Sequence, residues 1–188
     1  MKKYLIITIS VMSVLLTIWM LHYGNPVDNS GALSKIGLTH QFLFSCWGVL
    51  TFLALYANII LGIKKADRLI KPVYILTFIS AIGMILTLCC DFDYNKTVQY
   101  YLHCIGSMLF SIITGMLVFA LFAINFKKSV LHKIATVIIG IILLSDLILL
   151  LIFKETGLIE AVPIIFGLIT LPIFNFLIKD KKHVTQRT

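Results

Sequence analysis

An apolar run of about twenty residues that enters a bilayer has one way to satisfy its backbone as a single segment, because hydrocarbon offers no hydrogen-bond partners. It must form a helix, and about 30 Å of hydrocarbon is crossed at 1.5 Å per residue. The chain holds six such runs, at about residues 4–22, 40–63, 72–90, 99–126, 131–153 and 157–178. The connections between them are short, and only 13% of the 188 residues are charged, against about 25% in soluble domains. The expected fold class is therefore all-α: a polytopic membrane protein built as a compact six-transmembrane-helix bundle, one domain over residues 1–188. The first run opens on Met1-Lys2-Lys3 like a signal peptide, but His22-Tyr23-Gly24-Asn25-Pro26 provides no small-x-small cleavage site, so it is expected to be retained as a span.

Basic residues then orient the bundle. Lys2, Lys3, Lys64, Lys65, Arg68, Lys71, Lys127, Lys128, Lys133, Lys179, Lys181, Lys182 and Arg187 fall on one side, and only Lys35, Lys96 and Lys154 on the other. By the positive-inside rule both termini are expected to be cytoplasmic, N-in and C-in, in a plasma membrane. The net charge of +8 is explained by this asymmetry and does not indicate nucleic acid, which needs a basic face on a soluble surface.

Breakers agree with the boundaries. Gly24-Asn25-Pro26 and Asp28-Asn29-Ser30-Gly31 make the one long outer connection, Pro72 opens the third run, and Gly157 starts the sixth, inside which Pro163 and Pro172 each free a carbonyl. The cysteines, Cys46, Cys89, Cys90 and Cys104, show no zinc-ribbon spacing. They read as buried inert thiols, with a bridge from Cys89 or Cys90 to Cys104 as the alternative. Gly106, Ser107, Ser111 and Gly115 on the fourth run permit close helix packing.

The informative residues are ionisable groups inside apolar runs, since each costs several kcal/mol unless it pairs, meets water or faces the bundle interior. Asp91 ends the third run, His103 lies about four residues into the fourth, Asp146 about seven residues from the outer end of the fifth, Glu160 in the first turn of the sixth, and His40 at the mouth of the second. All fall in one shallow outer layer, and the inner half is expected to receive none. His40 and His103 also stand the same distance ahead of the pairs Lys64-Lys65 and Lys127-Lys128, which is compatible with a duplicated helix pair. Taken singly, Asp93 with Tyr94-Asn95 reads as turn chemistry and Glu160 as a charge suited to its helix dipole. Asp146, between Ile141-Ile142-Leu143-Leu144-Ser145 and Leu147-Ile148-Leu149-Leu150-Leu151, has no such excuse, and neither has His103.

Histidine and carboxylate without cysteine at ligand spacing suit a Zn-like divalent metal with an open water position, His40, His103 and Asp91 being the candidate ligands. Such an ion could activate water against an ester at headgroup level, with His103, Asp91 and Asp146 as catalytic candidates and Asp93, Glu160 and Ser107 as ligand contacts. The same groups could relay protons in a small carrier using Asp146 and His103, or the two histidines could hold a haem. The third class of reading is an accessory or immunity-type membrane protein in which these residues only pair with one another.

The six-run layout, Ser34-Lys35-Ile36-Gly37 ahead of the second run, and the segment Asp91 to His103 followed by Gly106 and Phe110 resemble a bacterial membrane family of unknown function related to the DRAM, Sfk and GPI-lipid-remodelling membrane proteins. The resemblance implies a compact six-helix bundle and a connection with lipid handling, and it carries over to Asp91 and His103 alone. The function expected is binding or modification of a lipid or small amphiphile at an outer-leaflet pocket, with membrane lipid as the partner and no nucleic acid.

Overall fold

The computed structural model describes residues 2–66 and 70–177. Arg68 and the basic tail from Lys179 onward, which the orientation argument used, lie outside the described residues. Six helices are long and apolar enough to cross a membrane, and no strand occurs among the described residues. They are α1 (Lys2–Met20), α3 (Gln41–Ala66), α4 (Ile70–Cys89), α5 (Thr97–Ile124), α6 (Val130–Phe153) and α7 (Gly157–Phe176). A seventh, short helix, α2 (Leu33–Thr39), stands between α1 and α3.

Between α1 and α3 the packing is held by a ladder of interhelical hydrogen bonds. Ser10, Ser13 and Thr17 recur at helical spacing on one face of α1 and meet Asn58, Thr51 and Trp47, which run the opposite way along α3. Asn58 Nδ2 donates to Ser10 Oγ at 3.1 Å, the Ser13 and Thr51 hydroxyls are 2.6 Å apart, and Trp47 Nε1 donates to Thr17 Oγ1 at 2.8 Å. Asn175 of α7 extends the ladder, donating from Nδ2 to the Asn58 carbonyl at 2.9 Å while its own carbonyl accepts from Lys65. Where lipid and side chain are equally apolar, such bonds carry association that the hydrophobic effect cannot.

A second unit is α4 with α5, whose extensive contact depends on two glycines. A Cβ on Gly106 would lie 2.6 Å from the Gly83 carbonyl oxygen, and one on Gly83 would lie 2.8 Å from the Gly106 carbonyl. The small residues of α5 therefore divide. Gly106 packs on α4, whereas Ser107, Ser111 and Gly115 face a cavity toward α6. The main core joins these units through Leu55, Ile59, Phe110, Leu117, Phe122 and Leu171. The outermost helix is α6, which packs on α5 and α7 and buries little of its surface.

At the acidic end the connection after α1 folds down onto the bundle. Asp28 caps a short 3-10 turn by accepting from Ser30 N and Oγ, and α2 then buries Leu33, Ile36 and Gly37. The segment is pinned to the α6–α7 turn: Leu158 N donates to the Pro26 carbonyl at 3.0 Å and Asn29 Nδ2 to the Glu155 carbonyl at 3.0 Å. What reads in sequence as a long loop is thus an ordered cover. All four cysteines are free thiols, but against expectation none is fully buried: Cys46, Cys90 and Cys104 are partly buried and Cys89 is exposed.

Candidate functional site

A cavity of about 260 Å³ lies beneath this cover among α3, α4, α5, α6 and α7. Its walls are mostly apolar, with Phe44, Trp47, Met84, Phe110, Leu143 and Ile164 contributing, and into it converge Asp146 from α6, Glu155 from the α6–α7 turn and Glu160 from α7. Hydroxyls of Ser34, Thr87, Ser107, Ser111 and Thr114 also line it. No Lys, Arg or His lines it among the described residues.

Each acid reaches the cavity for a local reason. Glu160 follows the Thr156 N-cap of α7 by one turn, and its carboxylate does more than suit the dipole of its own helix. It accepts from Leu33 N at 2.5 Å and from Ser34 Oγ at 3.0 Å, satisfying the amide donors that begin α2. Glu155 owes its direction to Lys154, whose φ of 62° and ψ of −157° lie in a region kept essentially for glycine. That turn, with the Asn29 bond to the next carbonyl, sends Glu155 inward, and burial raises its carboxyl above the ordinary 4.5. Asp146 projects from the C-terminal half of α6 with neither cap nor countercharge. The Oδ2 of Asp146 and the Oε2 of Glu155 are both buried without a hydrogen-bond partner.

His103 sits beside the cavity, separated from it by lining residues. It is 1% exposed, with its ring 6.2 Å from Phe44 and 5.2 Å from Phe92. Its Nδ1 is 2.9 Å from the Cys90 carbonyl, which can only accept, so Nδ1 carries the proton and Nε2 is a bare acceptor, buried and without a partner. Cys90 stands at the end of α4; Thr87, one turn earlier on that helix, lines the cavity, as do Phe44 and Ser107, one turn after His103.

The remaining expected site residues lie elsewhere. Asp91 accepts from Lys96 Nζ at 2.5 Å at the bundle's edge, an exposed pair that raises the Lys96 ammonium above its ordinary value. Asp93 accepts from Asn95 N at 3.0 Å and Nδ2 at 3.1 Å, the turn chemistry expected of it. His40 closes α2 with its ring 4.2 Å from Tyr23, one residue before α3 begins, whereas His103 is well inside α5; the two histidines therefore occupy unlike positions. Among the described residues no three His, Cys, Asp or Glu side chains are gathered as a metal site requires. Nor is the basic half free of ionisable groups. His132, in the first turn of α6, is buried there, its Nδ1 2.8 Å from Ser129 Oγ and its ring 4.7 Å from Phe174.

Two features of the cavity went unread in the sequence. Glu155 looks like a wet residue of a three-residue turn, and nothing local announces the backbone of Lys154. Ser111 resembles a packing residue, yet it is exposed and lines the cavity. Beside it Met108, Ile112 and Leu147 line the cavity while remaining 54%, 54% and 57% exposed, so the cavity opens sideways between α5 and α6. Toward the basic half it ends at Leu55, Val118 and Ile139.

Fold and cavity define a helical bundle with six helices suited to crossing a membrane and one acidic, apolar-walled chamber near an end. The chain matches no protein-family model, no curated protein and no solved structure.

Proposed function

We propose that the protein lies in a bacterial plasma membrane with its basic end and both termini cytoplasmic, and that it binds a lipid or small amphiphile in the chamber between α5 and α6. One observation carries the reading: three carboxylates share a largely apolar chamber whose mouth, between Met108, Ser111, Ile112 and Leu147, faces sideways. In the membrane that mouth opens at acyl-chain depth in the outer half, so an amphiphile can slide its tail in from the bilayer while its head meets polar groups near the cover. The positive-inside rule supports the orientation, and the resemblance of Asp91 to His103 supports both the bacterial membrane and the link to lipids.

Binding is preferred to proton-coupled transport because the chamber stops at Leu55, Val118 and Ile139, and beyond them Asn58, Ser10 and Asn175 bond tightly to one another. A carrier needs a route through that layer. Native mass spectrometry of protein released from mild detergent tests the reading. Wild type should retain one amphiphile per chain, and Ser111→Phe, which plugs the mouth, should lose it. Wild type that emerges bare from a lipid-containing preparation refutes the proposal.

A further inference from the structure

The polar atoms left without partners near the chamber share one property. Asp146 Oδ2, Glu155 Oε2 and His103 Nε2 are buried and unbonded, and all three are acceptors: two carboxylate oxygens, and the lone-pair nitrogen of an imidazole whose other nitrogen is committed to Cys90. Pro163 adds to the excess. It lines the chamber, and lacking an N–H it cannot serve the carbonyl of Ile159, another lining residue four positions earlier. Against these acceptors the lining offers hydroxyl donors and the Trp47 indole N–H, which is spent on Thr17 Oγ1 at 2.8 Å. Three of the hydroxyls are already spent, since Ser34 Oγ donates to Glu160 Oε1 at 3.0 Å, Thr87 Oγ1 to the Gly83 carbonyl at 2.9 Å and Ser107 Oγ to the Cys104 carbonyl at 3.3 Å. Of the three lysines at that end, Lys154 is exposed and does not line the chamber, and the other two are engaged. Lys96 is held by Asp91, and Lys35 donates to Asn29 Oδ1 at 3.1 Å.

Acceptors buried without donors are costly, and a charge buried without a countercharge is costlier, so a chamber so lined fits an occupant that brings both. We infer that the amphiphile's head is a primary ammonium, whose positive charge answers Asp146 and Glu155 and whose N–H donors meet their unpartnered oxygens and the carbonyl that Pro163 frees, while its alkyl tail lies against Leu143, Leu147 and Ile164 and leaves between α5 and α6. The inference rests on the chamber being the binding site and adds the chemistry of the head. A phosphate- or carboxylate-headed amphiphile would meet like charge, and an alcohol would supply one donor and no countercharge. A trimethylammonium has the charge without the donors.

The chain has two tryptophans, and Trp47 lines the chamber while Trp19 is exposed on α1. In a Trp19→Phe protein, chain-brominated amphiphiles that enter the chamber therefore quench a single reporter. Four probes of equal chain length, ending in a primary amine, a trimethylammonium, an alcohol and a carboxylate, should be titrated in the same mild non-ionic detergent. The amine should half-quench Trp47 at a concentration at least about tenfold below the alcohol, the effect of one charge-assisted hydrogen bond, with the trimethylammonium between them and the carboxylate weakest. The isosteric double variant Asp146→Asn with Glu155→Gln should bring amine and alcohol to within about threefold of each other. An amine no better than the alcohol, or no better than the trimethylammonium, overturns the ammonium head and leaves the chamber reading standing. If none of the four quenches Trp47, both fall. The wild-type series needs no variant to fold, so the inference can fail on it alone.

Discussion

Replacing Gly106 by alanine puts a methyl group where α4 and α5 have no room for one. The new Cβ would lie 2.6 Å from the Gly83 carbonyl oxygen, 2.7 Å from Leu86 Cβ and 2.8 Å from Thr87 N, and two of these three are backbone atoms that no rotamer can move aside. Restoring ordinary contact, at 3.4 Å or more, requires the helices to part by about 0.8 Å, the difference between 3.4 and 2.6 Å. Overpacking of this kind costs about 1–3 kcal/mol, and removing a helical glycine returns about 0.5–1 kcal/mol. The net loss, up to about 2.5 kcal/mol, should lower the melting temperature by a few degrees, at about 2–4 °C per kcal/mol for a chain of this size. Gly140→Ala supplies the control. Its Cβ would meet only Phe119 Cε2 at 3.5 Å, so the helix-forming gain should stand alone and melting should rise. Circular dichroism melts of both variants in one detergent decide the matter. Equal shifts in the same direction would refute the claim that backbone contact between Gly83 and Gly106 sets the α4–α5 spacing, and with it the account of how His103 is held against Cys90.

Lys154→Gly should stabilise the protein by about 1 kcal/mol, the strain released at a φ of 62° and ψ of −157° less the entropic cost of glycine; Lys154→Ala keeps the Cβ and should not, and equal melting of the two variants would remove strain from the account of Glu155. Thr17→Val leaves Trp47 Nε1 without its acceptor and should cost about 1 kcal/mol while shifting Trp47 emission in a Trp19→Phe background. An unchanged emission maximum would count against the ladder. For Glu155 the sign follows from its raised carboxyl: folding favours the protonated form, so the group's contribution is fully present below the ordinary 4.5 and is lost as pH rises through the higher folded value. Glu155→Gln should therefore stabilise at neutral pH and add nothing below pH 4.5, measured by chemical denaturation at both; a gain of the same size at both would mean that burial of charge is not the cause.

Depth is written in a sequence of this kind more plainly than direction. Helix limits fall within three residues of the apolar runs, because a run long enough to cross hydrocarbon is also long enough to make one continuous helix, and Asp146 stands out because nine apolar neighbours flank it. Which way a residue faces is another matter. A soluble helix marks its inner face by contrast with polar residues outside, but a helix between lipid and protein is apolar all round, so periodicity carries little azimuth. His40, Asp91, His103, Asp146 and Glu160 therefore share a layer in the sequence and separate in the fold, with Asp91 paired at the edge, His40 stacked on Tyr23, and Asp146 and Glu160 in the chamber.

The exceptions show what supplies direction when periodicity does not. Ser10, Ser13 and Thr17 are spaced by three and four, and in an otherwise apolar helix that polar stripe faces α3, as the bonds to Asn58, Thr51 and Trp47 confirm. Glu155 required something no pattern holds, a backbone turn at Lys154 and a distant carbonyl bond to Asn29. Its neighbour Glu160 falls in the first turn of its helix as expected, and its role is only half legible because the helix it caps, α2, is seven residues long and hidden in a connection rich in polar residues. The chamber is therefore assembled by the cover. Severing the cover from the α6–α7 turn, as Asn29→Ala does at one bond, should loosen Glu155 and Glu160 together while leaving Asp146, which depends on α6 alone, in place.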